Sequence, residues 1–332
     1  MADVSVIVPA RNAAAPLRRA LAALSRQDFE GDLELIVVDD GSTDGTADVA
    51  RAAGATVVEL PENVGSADAR NAGAAVASAP VLAFTDADCE PAPEWLRAGL
   101  RALEGADLVQ GRVEPPPGVE VGPFDRTVWV TRESGLYETA NLFVRRELFE
   151  RVAGFWPLLR GGSGPAGQER PPGLLPAKGG GRFGGHFGED IWFGWRARRA
   201  GARTAFSPEA LVHHEVVRRG PGALMAERTR LRHFPAITRL VPELREHFYF
   251  ARFFLTRRSA AFDLALASAL AAAMLRRRWP LAGALPYSLL VAPPALWPHP
   301  RACAAALATV PADGVGLGAL AAGSVAARTV VL

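Results

Sequence analysis

Residues 81–88 read Val-Leu-Ala-Phe-Thr-Asp-Ala-Asp, an apolar run that stops on two carboxylates one residue apart. Alternation along an extended segment lets Asp86 and Asp88 lean to the same side, where oxygen ligands suit a hard cation. An Asp-x-Asp triplet alone is common after strands. Its weight comes from other acidic residues that close or open elements in the same way. Asp39 and Asp40 follow the apolar run Leu33–Val38, and Gly188-Glu189-Asp190 opens a helical stretch, Ile191–Ala200. His213 and His214 follow the short run Ala210-Leu211-Val212. Carboxylates gathered around phosphate-rich chemistry hold a divalent cation or take a proton, which points to an enzyme acting on a nucleotide-linked substrate.

The elements that must position these residues are readable from periodicity. Val4–Val8 is a buried strand closed by Pro9. Ala14–Gln27, with Leu17, Leu21 and Leu24 at helical spacing, is an amphipathic helix. Leu33–Val38 is a second strand, Thr46–Ala53 a helix with Gly54 at its C-terminal cap, and Ala55–Leu60 a third strand. Asn71–Ala79 is helical, Val81–Thr85 is the strand already described, and Pro93 opens the next helix. Strands alternating with helices predict an α/β fold, a mainly parallel sheet flanked by helices. Such sheets bind ligands at the carboxyl ends of their strands, where the acidic motifs fall.

Composition narrows the class. Lys+Arg number 37 and Asp+Glu 35, so no nucleic-acid partner is expected. Two cysteines, Cys89 and Cys303, make no disulfide framework and suit a reducing compartment. The first strand starts at Val4, no leader is expected ahead of it, and a cytoplasmic catalytic part follows. Arg160–Gly185 is rich in Gly and Pro without apolar periodicity and reads as a flexible insertion, 160–185, beside Glu189-Asp190.

Taken in order, Val4-Ser5-Val6-Ile7-Val8-Pro9-Ala10-Arg11-Asn12, Val38-Asp39-Asp40-Gly41-Ser42-Thr43-Asp44, Asn63-Val64-Gly65 with Ala69-Arg70-Asn71-Ala72-Gly73, and Asp86-Ala87-Asp88 resemble a family 2 glycosyltransferase. Asn141–Phe155 and Gly188-Glu189-Asp190 continue the likeness, which spans about residues 4–218. The resemblance implies a GT-A, Rossmann-like fold, a nucleotide-sugar donor (a UDP-sugar by family frequency), Mg²⁺ or Mn²⁺, and inversion at the anomeric carbon. By that likeness Asp88 is the direct metal ligand, with Asp86 on the donor ribose or a metal-bound water and His214 as a late third ligand. Asp40 is matched to the base, with Asp39 beside it, and Pro9, Ala10 and Arg11 line the same pocket. Arg70 either meets the diphosphate or bridges to a carboxylate. Asp190 matches the catalytic base and Glu189 is its neighbour; the competing role for both is to favour a helix N-terminus.

The C-terminal third changes character. Ser259–Leu275 and Leu281–Trp297 are apolar and near the lower length that spans a bilayer, and Val315–Leu332 is apolar but for Arg328. Arg257-Arg258, Arg276-Arg277-Arg278 and Arg301 flank them on all sides. A membrane hairpin, an interfacial anchor and a soluble helical cap all fit this pattern. The chain is therefore divided into a nucleotide-sugar-binding part, 1–220, and a helical, membrane-associated part, 221–332. The expected seat is the cytoplasmic membrane face, or the cytoplasm, and the expected acceptor is a saccharide or lipid-linked molecule. A sugar nucleotidyltransferase and a non-catalytic glycan- or lipid-binding relative are the alternatives. The first lacks its Gly-rich loop here, where Pro9-Ala10-Arg11-Asn12 stands. No Gln-x-x-Arg-Trp motif follows Asp190, so a single transfer is expected, not polymerisation.

Overall fold

A computed structural model describes residues 2–155, 188–295 and 300–332. The predicted insertion at 160–185 lies outside the described residues. The chain divides into two compact units, residues 1–120 with 127–216 and residues 121–126 with 217–332.

The first unit is built on an eight-stranded sheet. Its strands are β1 (Val4–Ala10), β2 (Leu33–Asp40), β3 (Thr56–Leu60), β4 (Val81–Thr85), β5 (Cys89–Pro91), β6 (Leu108–Glu114), β7 (Asn141–Arg145) and β8 (Thr204–His214). They lie in the order β3-β2-β1-β4-β7-β6-β8-β5. β3, β2, β1 and β4 are parallel, as the βα alternation predicts. Beyond β4 the directions mix: β7 runs against both β4 and β6, β8 is parallel to β6, and β5 runs against β8. The central strands are apolar on both faces, with every residue of β4 buried, because helices cover the sheet on both sides.

The helices of this unit are α1 (Ala14–Leu24), α2 (Thr46–Ala52), α3 (Ser66–Val76), α4 (Trp95–Leu103), α5 (Arg146–Arg151) and α6 (Glu189–Arg199). Two polar–aromatic knots fix them to the sheet. Trp95 packs on Phe143 at 4.9 Å and donates its indole N–H to Asn141 Oδ1 at 2.8 Å. The Asn141 amide donates in turn to the carbonyls of Arg112 and Ala210, so one buried side chain ties α4, β6, β7 and β8. Phe84, Phe149, Phe155 and Phe193 form the second knot, with Phe155 and Phe193 4.6 Å apart. That cluster presses α6 against β4 and α5, and so sets where Asp190 stands.

The second unit contains α7 (Pro221–Arg228), α8 (Phe234–Leu240), α9 (Leu244–His247), α10 (Arg257–Leu275), α11 (Leu285–Ala295) and α12 (Pro300–Ala327), with 3₁₀ turns at Thr229–His233 and Trp279–Ala284. Residues 121–126 join it through paired backbone bonds between Arg126 and Val217, 3.0 and 2.9 Å long. Its small core holds Ile237, Val241, Leu244 and Tyr249. Among the described residues α10 and the Leu307–Ala327 stretch of α12 are long and apolar enough to cross a membrane. Their apolar side chains stay largely outside that core: Met274 is 85% exposed and Val325 81%.

Candidate active site

The carboxyl ends of β1, β2 and β4 lie side by side, because β1 pairs with both of the others. The loops leaving β1 and β2 are stitched together. Asn12 sits at φ 48°, accepts the Thr43 N–H at 2.8 Å and donates its own N–H to Ser42 Oγ at 2.9 Å. Pro9 and Ala10 end β1 on this rim and Arg11 projects into solvent.

Asp39 and Asp40 are buried and both are already hydrogen-bonded. Asp39 Oδ1 accepts the Ser42 N–H at 3.0 Å, while Asp40 takes the N–H groups of Val64 at 2.6 Å and Gly65 at 2.9 Å, one on each oxygen. Asp40 thereby fixes the turn that leads into α3, where Gly65 has φ 96°. Only a residue without Cβ enters that conformation readily.

α3 begins earlier than the sequence pattern suggests, at Ser66 and not Asn71. Its register places Arg70 inward, 4% exposed, with Nη2 2.6 Å from Asp86 Oδ1. Of the two roles predicted for Arg70, the bridge to a carboxylate is the one formed. Its Nε is buried with no hydrogen-bond partner. The next residue, Asn71, exchanges two hydrogen bonds with the backbone of Phe155, at 2.6 and 2.9 Å.

Asp88 lies on the turn after β4, closed by the Cys89 N–H to the Asp86 carbonyl at 3.1 Å. The β5–β8 pairing sets Cys89 opposite His214 and Glu90 opposite His213, so His214, not His213, faces Asp88. His214 Nε2 is 3.7 Å from Asp88 Oδ1, and its Nδ1 is 2.8 Å from the Glu215 carbonyl. A proton on Nδ1 satisfies that carbonyl and turns the Nε2 lone pair toward Asp88. Two electron-rich atoms this close suit a shared cation, since donors about 2.1 Å from one ion and at right angles lie about 3 Å apart. Among the described residues, Asp88, Cys89 and His214 are the group whose potential ligand atoms converge, all within 4.8 Å of one another. Cys89 fits poorly: burial, then the charges of Asp86 and Asp88, hold its thiol well above the usual range. Asp86 is committed to Arg70. The donor set that fits a divalent ion is thus Asp88 with His214, leaving positions for substrate oxygens.

α6 starts at Glu189, and both predicted acids stand in its first turn. Glu189 is buried and accepts from Ser66 Oγ at 3.1 Å, linking α6 to the start of α3. The Asp190 carboxyl is held well above the ordinary carboxylate range. Burial is the main cause, and the charges of Glu189 and Glu138 add to it, opposed by Arg70. Asp88 is raised as well, by burial first, with His214 working against it.

Sequence reasoning missed Glu138. It precedes β7 and its carbonyl accepts from Gln110 Nε2 at 3.2 Å. Burial pushes its carboxyl up to about 7, and its Oε2 has no hydrogen-bond partner. Its one visible signal is a lone acid amid Tyr137-Glu138-Thr139-Ala140-Asn141, which no motif marks. The structure therefore gathers Asp86, Asp88, Arg70, Glu189, Asp190 and His214 as predicted, and adds Glu138 and Ser66. Asp39 and Asp40 serve the loops first.

Comparison with known proteins agrees. Residues 5–162 match the family model for glycosyl transferase family 2. Glycosyltransferase AglE of Haloferax volcanii is 37% identical over 168 residues, 46% of this chain and 55% of that protein. The pre-mycofactocin glycosyltransferase of Mycobacterium tuberculosis is 31% identical over 234 residues, covering 64% and 43% of the two chains. The chain thus spans about half the length of these curated relatives. Among solved structures, the mannosyltransferase PcManGT of Pyrobaculum calidifontis, in complex with GDP-Man and Mn²⁺, superposes with a TM-score of 0.52 at 23% identity, covering 99% of this chain and 88% of that one. That likeness establishes the GT-A fold. Through its first unit the chain belongs to glycosyl transferase family 2.

Proposed function

We propose that the chain is an inverting, metal-dependent glycosyltransferase that moves a sugar from a nucleoside-diphosphate donor to a saccharide or lipid-linked acceptor. The observation that carries this reading is the placement of Arg70. Its guanidinium holds Asp86 of the Asp-x-Asp turn at 2.6 Å, and its charge reaches the carboxyl of Asp190 across the site. A buried cation between the metal-side acids and the candidate base is where a departing diphosphate would sit.

In the reaction, Asp190 takes the proton of the acceptor hydroxyl. The freed oxygen attacks the anomeric carbon, and the bond from that carbon to the diphosphate breaks on the opposite face, its electron pair leaving with the nucleotide. Arg70 meets the charge that builds on the diphosphate. A divalent ion, Mg²⁺ or Mn²⁺, held by Asp88 and His214, would supply further positive charge there. Glu189 holds α6 to α3 through Ser66, and its charge, with that of Glu138, tunes Asp190. Pro9, Ala10 and Asp39 shape the pocket for the base through the stitched β1 and β2 loops. A UDP-sugar is the preferred donor.

The test is release of nucleotide from a panel of UDP-, GDP- and dTDP-sugars by the full chain, with Mn²⁺ or with EDTA. Metal-dependent turnover of one donor, abolished in Asp88→Ala, is the expected outcome. Failure of the folded protein to bind any nucleotide sugar would overturn the reading.

A further inference from the structure

The second unit encloses a cavity of about 230 Å³ with an unusual wall. Arg228, Arg258, Asp263 and Asp313 reach it from α7, α10 and α12. Asp313 is fully engaged. It accepts from Arg258 Nε at 2.8 Å and from the Tyr287 hydroxyl at 2.8 Å, and lies 3.9 Å from Arg228 Nη2. The other three are not satisfied. Arg228 Nε, Arg258 Nη2 and Asp263 Oδ2 are all buried without a hydrogen-bond partner. Each such group costs about 1–3 kcal/mol if left bare, so three around one cavity call for an occupant.

The missing partners define it. Two guanidinium N–H groups need acceptors, and one carboxylate oxygen needs a donor. A phosphate monoester carrying one proton offers both, two or more acceptor oxygens and one P–O–H. The N-terminal turn of α10, a 19-residue helix, adds favourable charge through Thr256 and Ser259, which also line the cavity. The remaining wall is apolar, with Leu231, Phe262 and Leu317 prominent. That surface suits an alkyl chain attached to the phosphate and gives a free phosphate ion nothing. Charged side chains between two apolar helices are costly to keep there, and head-group recognition is a common reason for them.

We infer that this cavity is a binding site for an amphiphile with a phosphomonoester head, seated on Arg228 and Arg258 with its chain along Leu231, Phe262 and Leu317. The site deepens the reading that this unit is membrane-associated by naming the head group it selects. It makes no use of donor or metal, so its failure leaves the transferase proposal standing, and the reverse holds as well.

The experiment is thermal melting of the full chain in a non-ionic detergent, titrated with dodecyl phosphate, with dodecanol and with inorganic phosphate. Dodecyl phosphate is expected to raise the melting temperature in a saturable way while the tail alone and the head alone do not. Arg228→Gln is expected to weaken the apparent affinity about tenfold, the worth of one charged hydrogen bond. Asp263→Asn, which removes the opposing charge without changing shape, is expected to tighten it. The two variants move binding in opposite directions, so a general loss of folding cannot imitate the result. An equal shift with dodecanol would reduce the cavity to an apolar slot, and an equal shift with inorganic phosphate to an anion site without a lipid. Either result overturns the inference, as does identical binding by wild type and both variants.

Discussion

Asp190 has to accept a proton, yet burial and two neighbouring carboxylates hold its own carboxyl in the protonated form. A base with a raised pKa binds its proton more strongly once ionised, at the cost of being less ionised near neutrality. The acid limb of kcat/KM is therefore expected above the ordinary carboxylate range, and Glu138→Gln, which removes one of the raising charges, should move it down. Asp190→Asn should lower kcat by about 10²–10⁴ while donor binding persists. Glu138 also makes a stability prediction. Its carboxyl is raised from 4.5 to about 7 in the fold, so between those values the folded chain keeps a proton that the unfolded chain releases. Stability is then lost as pH rises through that window. Glu138→Gln should match wild type below pH 4.5 and exceed it above pH 7, by up to about 3 kcal/mol; melting curves at pH 4 and 8 decide this. Asp88 and Asp190 are legible in the sequence because each stands at a fixed place in a motif. Glu138 is not, since its perturbation comes from burial by segments distant in the chain. Asp40 shows the opposite limit: its position could be read, but not that the Val64 and Gly65 amides already occupy its oxygens.

At the scale of elements, the position of α6 matters most, because its first turn carries both acids. Three contacts hold it: the phenylalanine cluster, Arg196 donating to the carbonyls of Val152 and Gly154, and the close approach of Gly194 to the Tyr137 ring. A methyl at Gly194 would overlap that ring. Gly194→Ala must therefore displace α6 or Tyr137, with an expected cost of about 1–3 kcal/mol. Since Tyr137 adjoins Glu138 and α6 begins at Glu189-Asp190, kcat should fall more than donor affinity. Equal loss of both, or neither, would remove α6 packing from the account; melting and steady-state kinetics on one preparation suffice. Existence and type of the elements from β1 to α4 follow from apolar periodicity in the sequence. What periodicity could not supply is the far half of the sheet. The reversal of β7 and the β5–β8 pairing depend on long-range partners, and only that pairing distinguishes His214 from His213. The early start of α3 was hidden because Ser66-Ala67-Asp68 carries little apolar signal, although Gly65 and the Asp40 bonds fix it.

The whole chain pairs a sugar-nucleotide unit with one whose apolar side chains turn outward. Sequence hydropathy located the apolar stretches, but it could not show that residues 121–126 fold with the C-terminal unit through Arg126 and Val217. Nor could it show which apolar residues lack a protein partner. On and after α10, Leu270, Met274, Trp279, Leu285 and Leu289 are all more than half exposed, and Arg276, Arg277 and Arg278 stand among them. At 19 residues α10 is about 28 Å long, close to the hydrocarbon thickness of a bilayer. Apolar side chains beside a basic cluster fit a membrane with anionic head groups, each arginine near its surface contributing about 1 kcal/mol. The full chain should therefore float with vesicles containing phosphatidylglycerol, and 0.5 M NaCl should release little of it, since the apolar contribution is insensitive to screening. Replacing Arg276, Arg277 and Arg278 together by Gln should weaken binding to anionic vesicles far more than to phosphatidylcholine vesicles. Complete release by salt would mean that α10 does not enter the hydrocarbon and only the arginines touch lipid. Protein that stays in solution with both kinds of vesicle would make the outward apolar face a surface for another protein, and the membrane proposal would fall.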